Sequence, residues 1–134
     1  MSGGESEGRS AGPAAGLAPG LAGVATYTVT HDMSPPHVRG ILSTSRMIAL
    51  IEDTCLGLVQ PHLGGGETTV GTHVEVSHVG AARAGEEVTV RIRLERVTRR
   101  RLLTFAVEVV APGGVVGSGA HQRLIVDRSR FAPP

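Results

Sequence analysis

Apolar and polar residues alternate with period two along most of this chain, and one segment departs from that rhythm. Near the start, Tyr27 and Val29 alternate with Thr26, Thr28 and Thr30, which predicts a short strand. Ser34-Pro35-Pro36 interrupts it. From Ser43 to about Gln60 the period lengthens. Met47, Ile51, Thr54 and Leu58 recur at helical spacing, as do Ile48, Cys55 and Val59, so this stretch reads as a helix. Ser43, Thr44 and Ser45 all suit its N-cap, and Pro61 with Gly64-Gly65-Gly66 closes it.

After the helix the period is two again. Val70, Thr72, Val74, Val76 and His78 fall on one expected face, with His73, Gly71 and Glu75 on the other. Val88, Val90, Ile92 and Leu94 form a second run, Leu103, Phe105, Val107 and Val109 a third, and residues 115–126 a fourth. The connectors are rich in Gly, Pro and Arg, and strands this long with short turns predict an antiparallel meander. The one apolar helix must cover a face of that sheet. Strand, helix, then four long strands is the element order of an α+β hotdog fold.

Composition adjusts this picture. Of residues 1–23, seventeen are Gly, Ala, Ser or Pro, so we expect a disordered tail ahead of a single domain at 24–131. The tail has neither the basic start nor the continuous apolar run of a secretory signal, and no stretch approaches the ~20 apolar residues of a membrane span. A folded part this small is expected to bury surface against a second copy. Aromatic residues make up only 2% of the chain, so the core must be built from Val, Leu and Ile. Every one of the 13 basic residues is Arg, and the net charge of +1 gives no strong field for nucleic acid or an anionic membrane. The single Cys55 excludes an internal disulfide and fits a reducing, cytoplasmic compartment. On the apolar stripe of the helix it is expected to be buried and inert.

Candidate chemistry begins with Glu52. On a helix it shares a stripe with Ile48, Cys55 and Val59, so a carboxylate interrupts an apolar face. A poorly solvated carboxylate there would suit a general base or nucleophile; the plainer alternative is a stripe-edge Glu that reaches to water. His78 continues the valine face of its strand and gains an acid/base role if Glu52 points into the same space; otherwise it is a core histidine. Thr44 is either the N-cap or a substrate contact, and ~12 Å of straight helix separates it from Glu52. Partners from the other copy of a two-fold dimer could close that gap. Gly71 inside a strand marks either a bulge or a close approach, and its N–H could hold an oxyanion.

Arg96, Arg99, Arg100 and Arg101 gather at a turn, as solvated surface or as a contact for nucleotide phosphates. No nucleotide-binding glycine loop, GxSxG elbow or Cys/His metal spacing occurs, so no metal is expected.

The stretch Thr44-Ser-Arg-Met-Ile-Ala-Leu-Ile-Glu52, then Gly71-Thr-His-Val-Glu-Val-Ser-His78, resembles the fluoroacetyl-CoA thioesterase-like family of hotdog enzymes. Gly117-Ser-Gly-Ala-His121-Gln-Arg123 is similar to that family's closing GxGxHxR strand, and the likeness covers roughly residues 25–128. It implies a homodimer, with tetramers left open, and active sites near the subunit interface. It implies hydrolysis of an acyl-CoA thioester with no cofactor beyond the CoA of the substrate. It assigns catalysis to Thr44, Glu52 and His78, and substrate binding to Gly71 and Arg123. One departure stands out. Ser34–Ser43 is short and lacks the phenylalanines that lid the site of the fluoroacetyl-specific enzyme, which argues against that specificity.

In the expected mechanism Glu52 attacks the thioester carbonyl or activates a water, while His78 shuttles a proton and Thr44 donates a hydrogen bond. Two other classes remain open at this point. One is a hydratase-like hotdog enzyme, and the other is a module that binds an acyl-CoA or small molecule without turning it over.

Overall fold

The computed structural model describes residues 16–131 and 133. Its main elements are β1 (Ala22–Thr28), α1 (Thr44–Val59), β2 (Glu67–His78), β3 (Glu87–Thr98), β4 (Leu102–Ala111) and β5 (Gly114–Asp127). The strands form one antiparallel sheet in the order β1-β3-β4-β5-β2. β3, β4 and β5 are the expected meander, but β2 is not part of it. β1 occupies the outer edge of β3, so β2 pairs with β5 at the far side of the sheet and ends as an edge strand.

Binary pattern accounts for most of the core. β4 alternates half-buried and buried residues along its whole length, and Val88, Val90, Ile92, Leu94, Leu103, Phe105, Val107 and Val109 are all buried. Met47, Leu50, Ile51, Thr54, Cys55 and Val59 are the buried side of α1 and close the core from one face. Thr54 sits there because its hydroxyl donates to the Leu50 carbonyl (2.7 Å) and accepts from Tyr27 (2.9 Å). Irregularities in the ladders at Gly71/His73, Leu94/Arg96 and Val109/Val110 bend the sheet around the helix. The Arg-rich β3–β4 turn carries two non-glycine residues with positive φ, Arg99 (52°) and Arg100 (64°), and Arg101 pairs with Glu67 at 3.6 Å.

The disordered tail expected at 1–23 is contradicted over its last eight residues. Residues 1–15 lie outside the described residues, but Gly16–Gly23 belong to the fold. Leu17 is 4% exposed and Leu21 packs on the core. Gly20 N–H donates to the Leu94 carbonyl, and Leu94 N–H donates to that of Leu21, both at 2.8 Å. Two leucines spaced four apart were enough to fasten a segment that small residues otherwise dominate. Replacing Leu17 with Ala is expected to cost about 2–3 kcal/mol. Thermal melting should then register a fall of roughly 10 °C.

Candidate active site

The helix start settles which residue is the cap. Ser43, in extended conformation, accepts from the Arg46 N–H through its hydroxyl at 3.2 Å. Thr44, expected as a possible cap, is the first helical residue. Its hydroxyl is therefore free for another partner, and Oγ1 lies 2.7 Å from His78 Nδ1. The register explains how they meet. His78 pairs with Gly117 on β5, and a Cβ on Gly117 would lie 2.7 Å from Met47 Sδ. The missing side chain lets the first turn of α1 settle over the end of β2 that carries His78.

Two turns further along, Glu52 faces the other end of the same strand. Its Oε2 lies 3.3 Å from Arg123 Nη1. A Cβ on Gly71 would collide with that carboxylate oxygen and press on His121 and Arg123, so the glycine is what leaves Glu52 this position beside Arg123. Both readings of Gly71 hold, because the bulge follows it directly. Gly71 pairs with Arg123 and His73 with Gln122, leaving Thr72 extra.

That bulge corrects the expected parity. Strict alternation puts Val70 with His78 and Gly71 on the opposite face. One extra residue reverses the phase, so Gly71, Val74, Val76 and His78 are aligned with Arg123, His121, Gly119 and Gly117 on the helix-facing side. Gly71 and His78 thus share a face.

Glu52 is not the fully buried carboxylate the stripe suggested. It sits at the border of the buried side, 40% exposed in this single chain. Arg123 is the buried member of the pair, 6% exposed. Its Nε donates to Thr69 Oγ1 (2.8 Å), Nη2 to the Thr69 carbonyl (3.1 Å), and Nη1 faces both Glu52 and His121 Nε2 (3.2 Å). The guanidinium is thus held by Thr69, Glu52 and His121 together. Thr69 and His121 were missed as site residues. His121 had two signals, its place in the GxGxHxR stretch and its position two residues before Arg123 on the same strand face, whereas Thr69 had none.

Cys55 lies beside this cluster, and burial pushes its thiol up to about 12, with Glu52 adding to the shift and Arg123 opposing it. It is buried, as its stripe implied. Among the described residues, no group of three or more His, Cys, Asp or Glu side chains is placed to hold a metal, and no helix is long and apolar enough to cross a membrane.

The chain therefore carries two polar clusters along the seam of helix and edge strand. Thr44 and His78 are together at one end; Glu52, Gly71 and Arg123 are together at the other. Among the described residues no hydrogen bond joins Glu52 to Thr44 or His78, and seven residue steps of ~3.3 Å each separate Gly71 from His78 along the strand.

One long helix cradled by a five-stranded antiparallel sheet, with polar groups gathered where helix and edge strand meet, defines a hotdog-fold protein. Residues 24–129 match the fluoroacetyl-CoA-specific thioesterase family, and the chain belongs to it. A fluoroacetyl-CoA thioesterase of Streptantibioticus cattleyicolor is 36% identical over 93 residues, 68% of this chain and 65% of that protein, so the match spans just under two thirds of the relative. A solved structure of a fluoroacetyl-CoA thioesterase superposes with a TM-score of 0.82 at 26% identity, covering 87% of this chain and 93% of that one. A variant of such an enzyme in complex with fluoroacetate and CoA gives 0.79 at 26% identity, covering 87% and 100%. A thioesterase superfamily member from Thermus thermophilus, 24% identical over 87% of this chain and 88% of its own, shares the fold with a TM-score of 0.78.

Proposed function

We propose that this protein is an acyl-CoA thioesterase that hydrolyses a small or medium acyl thioester to the free acid and CoA. Family membership supports the reaction class. The observation that carries the site is the Glu52 carboxylate pressed against the backbone of Gly71, where only a glycine leaves room for it. A thioester carbonyl bound there meets a carboxylate on one side and a backbone N–H on the other. Glu52 attacks the carbonyl carbon to give an anhydride that water then opens, or it takes the proton of the attacking water; both routes end in acid and thiol. His78, its Nδ1 fixed by Thr44, has Nε2 available to protonate the departing thiolate.

The site is completed by a second copy. β2 is an edge strand of 12 residues whose middle, Gly71–Glu75, is exposed, and such an edge is a template for pairing. Antiparallel pairing of β2 with its copy about a two-fold axis near Val74–Glu75 sets the Gly71 end of one strand beside the His78 end of the other. Each of two sites then takes Glu52, Gly71 and Arg123 from one protomer and Thr44 and His78 from its partner. Burial of the edge also removes Glu52 from water, as its reactivity requires. No cofactor is needed, since CoA is part of the substrate. A cytoplasmic location fits an acyl-CoA substrate and the free thiol of Cys55.

Ser34–Ser43 contains two prolines and no aromatic residue, so fluoroacetyl-CoA is not the favoured substrate. Free-thiol release from a panel of acyl-CoAs, short-chain to aromatic, tests the reading. We expect turnover of at least one member, with fluoroacetyl-CoA not preferred. Binding of acyl-CoA with no thiol release from any member overturns it in favour of a binding module.

A further inference from the structure

His121 is completely buried, and no role in the reaction has been given to it so far. Both ring nitrogens have partners. Nδ1 lies 2.8 Å from the carbonyl oxygen of His73, and Nε2 lies 3.2 Å from Arg123 Nη1. A carbonyl oxygen only accepts, so Nδ1 carries the hydrogen. A guanidinium only donates, so Nε2 is bare. One state satisfies both contacts: the neutral imidazole protonated on Nδ1.

The two partners are the parts that shape the Glu52 cluster. His73 is the first residue back in register after the bulge that turns Gly71 to the helix side. Arg123 Nη1 is also the group that faces Glu52 Oε2. We propose that His121 is a positioning residue for Glu52: its bare Nε2 holds the Arg123 guanidinium against the carboxylate, while its Nδ1–H ties that guanidinium to the Gly71 bulge. A proton added at Nε2 would point one cation at another, so the assembly fails when His121 is charged. The inference rests on the thioesterase reading only for its kinetic readout.

The surroundings set the sense of the pH dependence. Arg123 on β5 faces the ring, Glu52 on α1 lies beyond it, and His73 lies on β2; Phe105, aligned with His121 on β4, is uncharged. Burial is the main force pushing the His121 imidazolium below its ordinary range, and Arg123 adds to it, against the His73 carbonyl and Glu52. The folded protein therefore binds this proton less readily than the unfolded chain. Stability from His121 is fully present above the ordinary histidine pKa of ~6.5 and declines as pH falls from there toward the lower folded value.

Two substitutions separate the two hydrogen bonds. Gln at 121 carries an amide oxygen to the position of Nε2, whereas Asn reaches only the position of Nδ1. We expect His121→Gln to keep kcat within about threefold and His121→Asn to lose about 10–100-fold in kcat with KM nearly unchanged. Between about pH 5 and 8, His121→Gln should also lose the part of the acid limb that His121 contributes. Variants that both match the parent in kcat and in pH profile overturn the proposal. Imidazole ¹⁵N shifts of the parent protein give a reading that needs no turnover and no variant. A neutral, Nδ1-protonated His121 at neutral pH is expected; an Nε2-protonated or charged ring overturns it. A parent inactive on every thioester would sink the thioesterase reading, and the ¹⁵N shifts would still decide this one.

Discussion

Glu52→Gln is expected to lower kcat for thiol release by about 10³-fold or more while moving KM less than about threefold. The substitution keeps the size of the side chain and leaves an amide oxygen for the Arg123 N–H to meet. What it removes is the negative charge that, in the proposed reaction, either attacks the carbonyl or takes the proton from water. Stability should fall only modestly, by about 1–3 kcal/mol: Arg123 is 6% exposed and loses a charged partner, but Thr69 and His121 still hold it and the amide oxygen still accepts. Melting curves and steady-state kinetics on the same preparation would separate the two quantities. A variant with unchanged melting and full turnover would remove Glu52 from the chemistry, and the mechanism with it. One with a collapsed melting temperature would show instead that Arg123, left with a neutral partner, depends on the carboxylate for its buried position.

How far the sequence discloses this arrangement depends on the range of the interactions concerned. The periodicity of Val88–Leu94 and Leu103–Val109 is local, and all eight alternating residues are buried as it requires. The stripe carrying Glu52 and Cys55 likewise identified the right helix face, but not how far Glu52 reaches its edge. Alternation fails at Gly71–Thr72 because a bulge is a property of two strands: the extra residue exists only relative to β5, and nothing in Gly71-Thr72-His73 alone announces it. The Glu52–Arg123 pair spans 71 residues, and Thr69 lies 54 residues from the guanidinium it anchors. Such contacts follow from strand order, and strand order was misjudged where β2 leaves the meander. Leu17 and Leu21 show the converse. Composition over a window marked them as tail, whereas two well-placed side chains and two backbone hydrogen bonds fixed them.

A site divided between two copies, as proposed, leads to a result that a single-chain site could not give. Glu52→Gln and His78→Ala should each be inactive as homodimers, since every site lacks one essential group. In a heterodimer of the two, a shared site changes the outcome. One site collects both defects, and the other takes an intact Glu52 from the His78→Ala chain and an intact His78 from the Glu52→Gln chain. Random pairing of equal amounts gives half heterodimers with one good site in two, so about a quarter of parental activity should return. A heterodimer purified through two different tags should reach about half. Rescue of this size cannot come from partial activity of either variant, because each is measured alone in the same assay. A purified heterodimer as inactive as its parents would mean that Glu52 and His78 of the same chain must cooperate. Glu52 would then have to reach His78 across the two helical turns that part it from Thr44, and the exposed edge of β2 would lose its part in the site. Substituting the edge itself distinguishes this case further: Val74→Arg should hinder pairing of β2 with its copy, lower the proportion of dimer, and reduce turnover in step with that proportion.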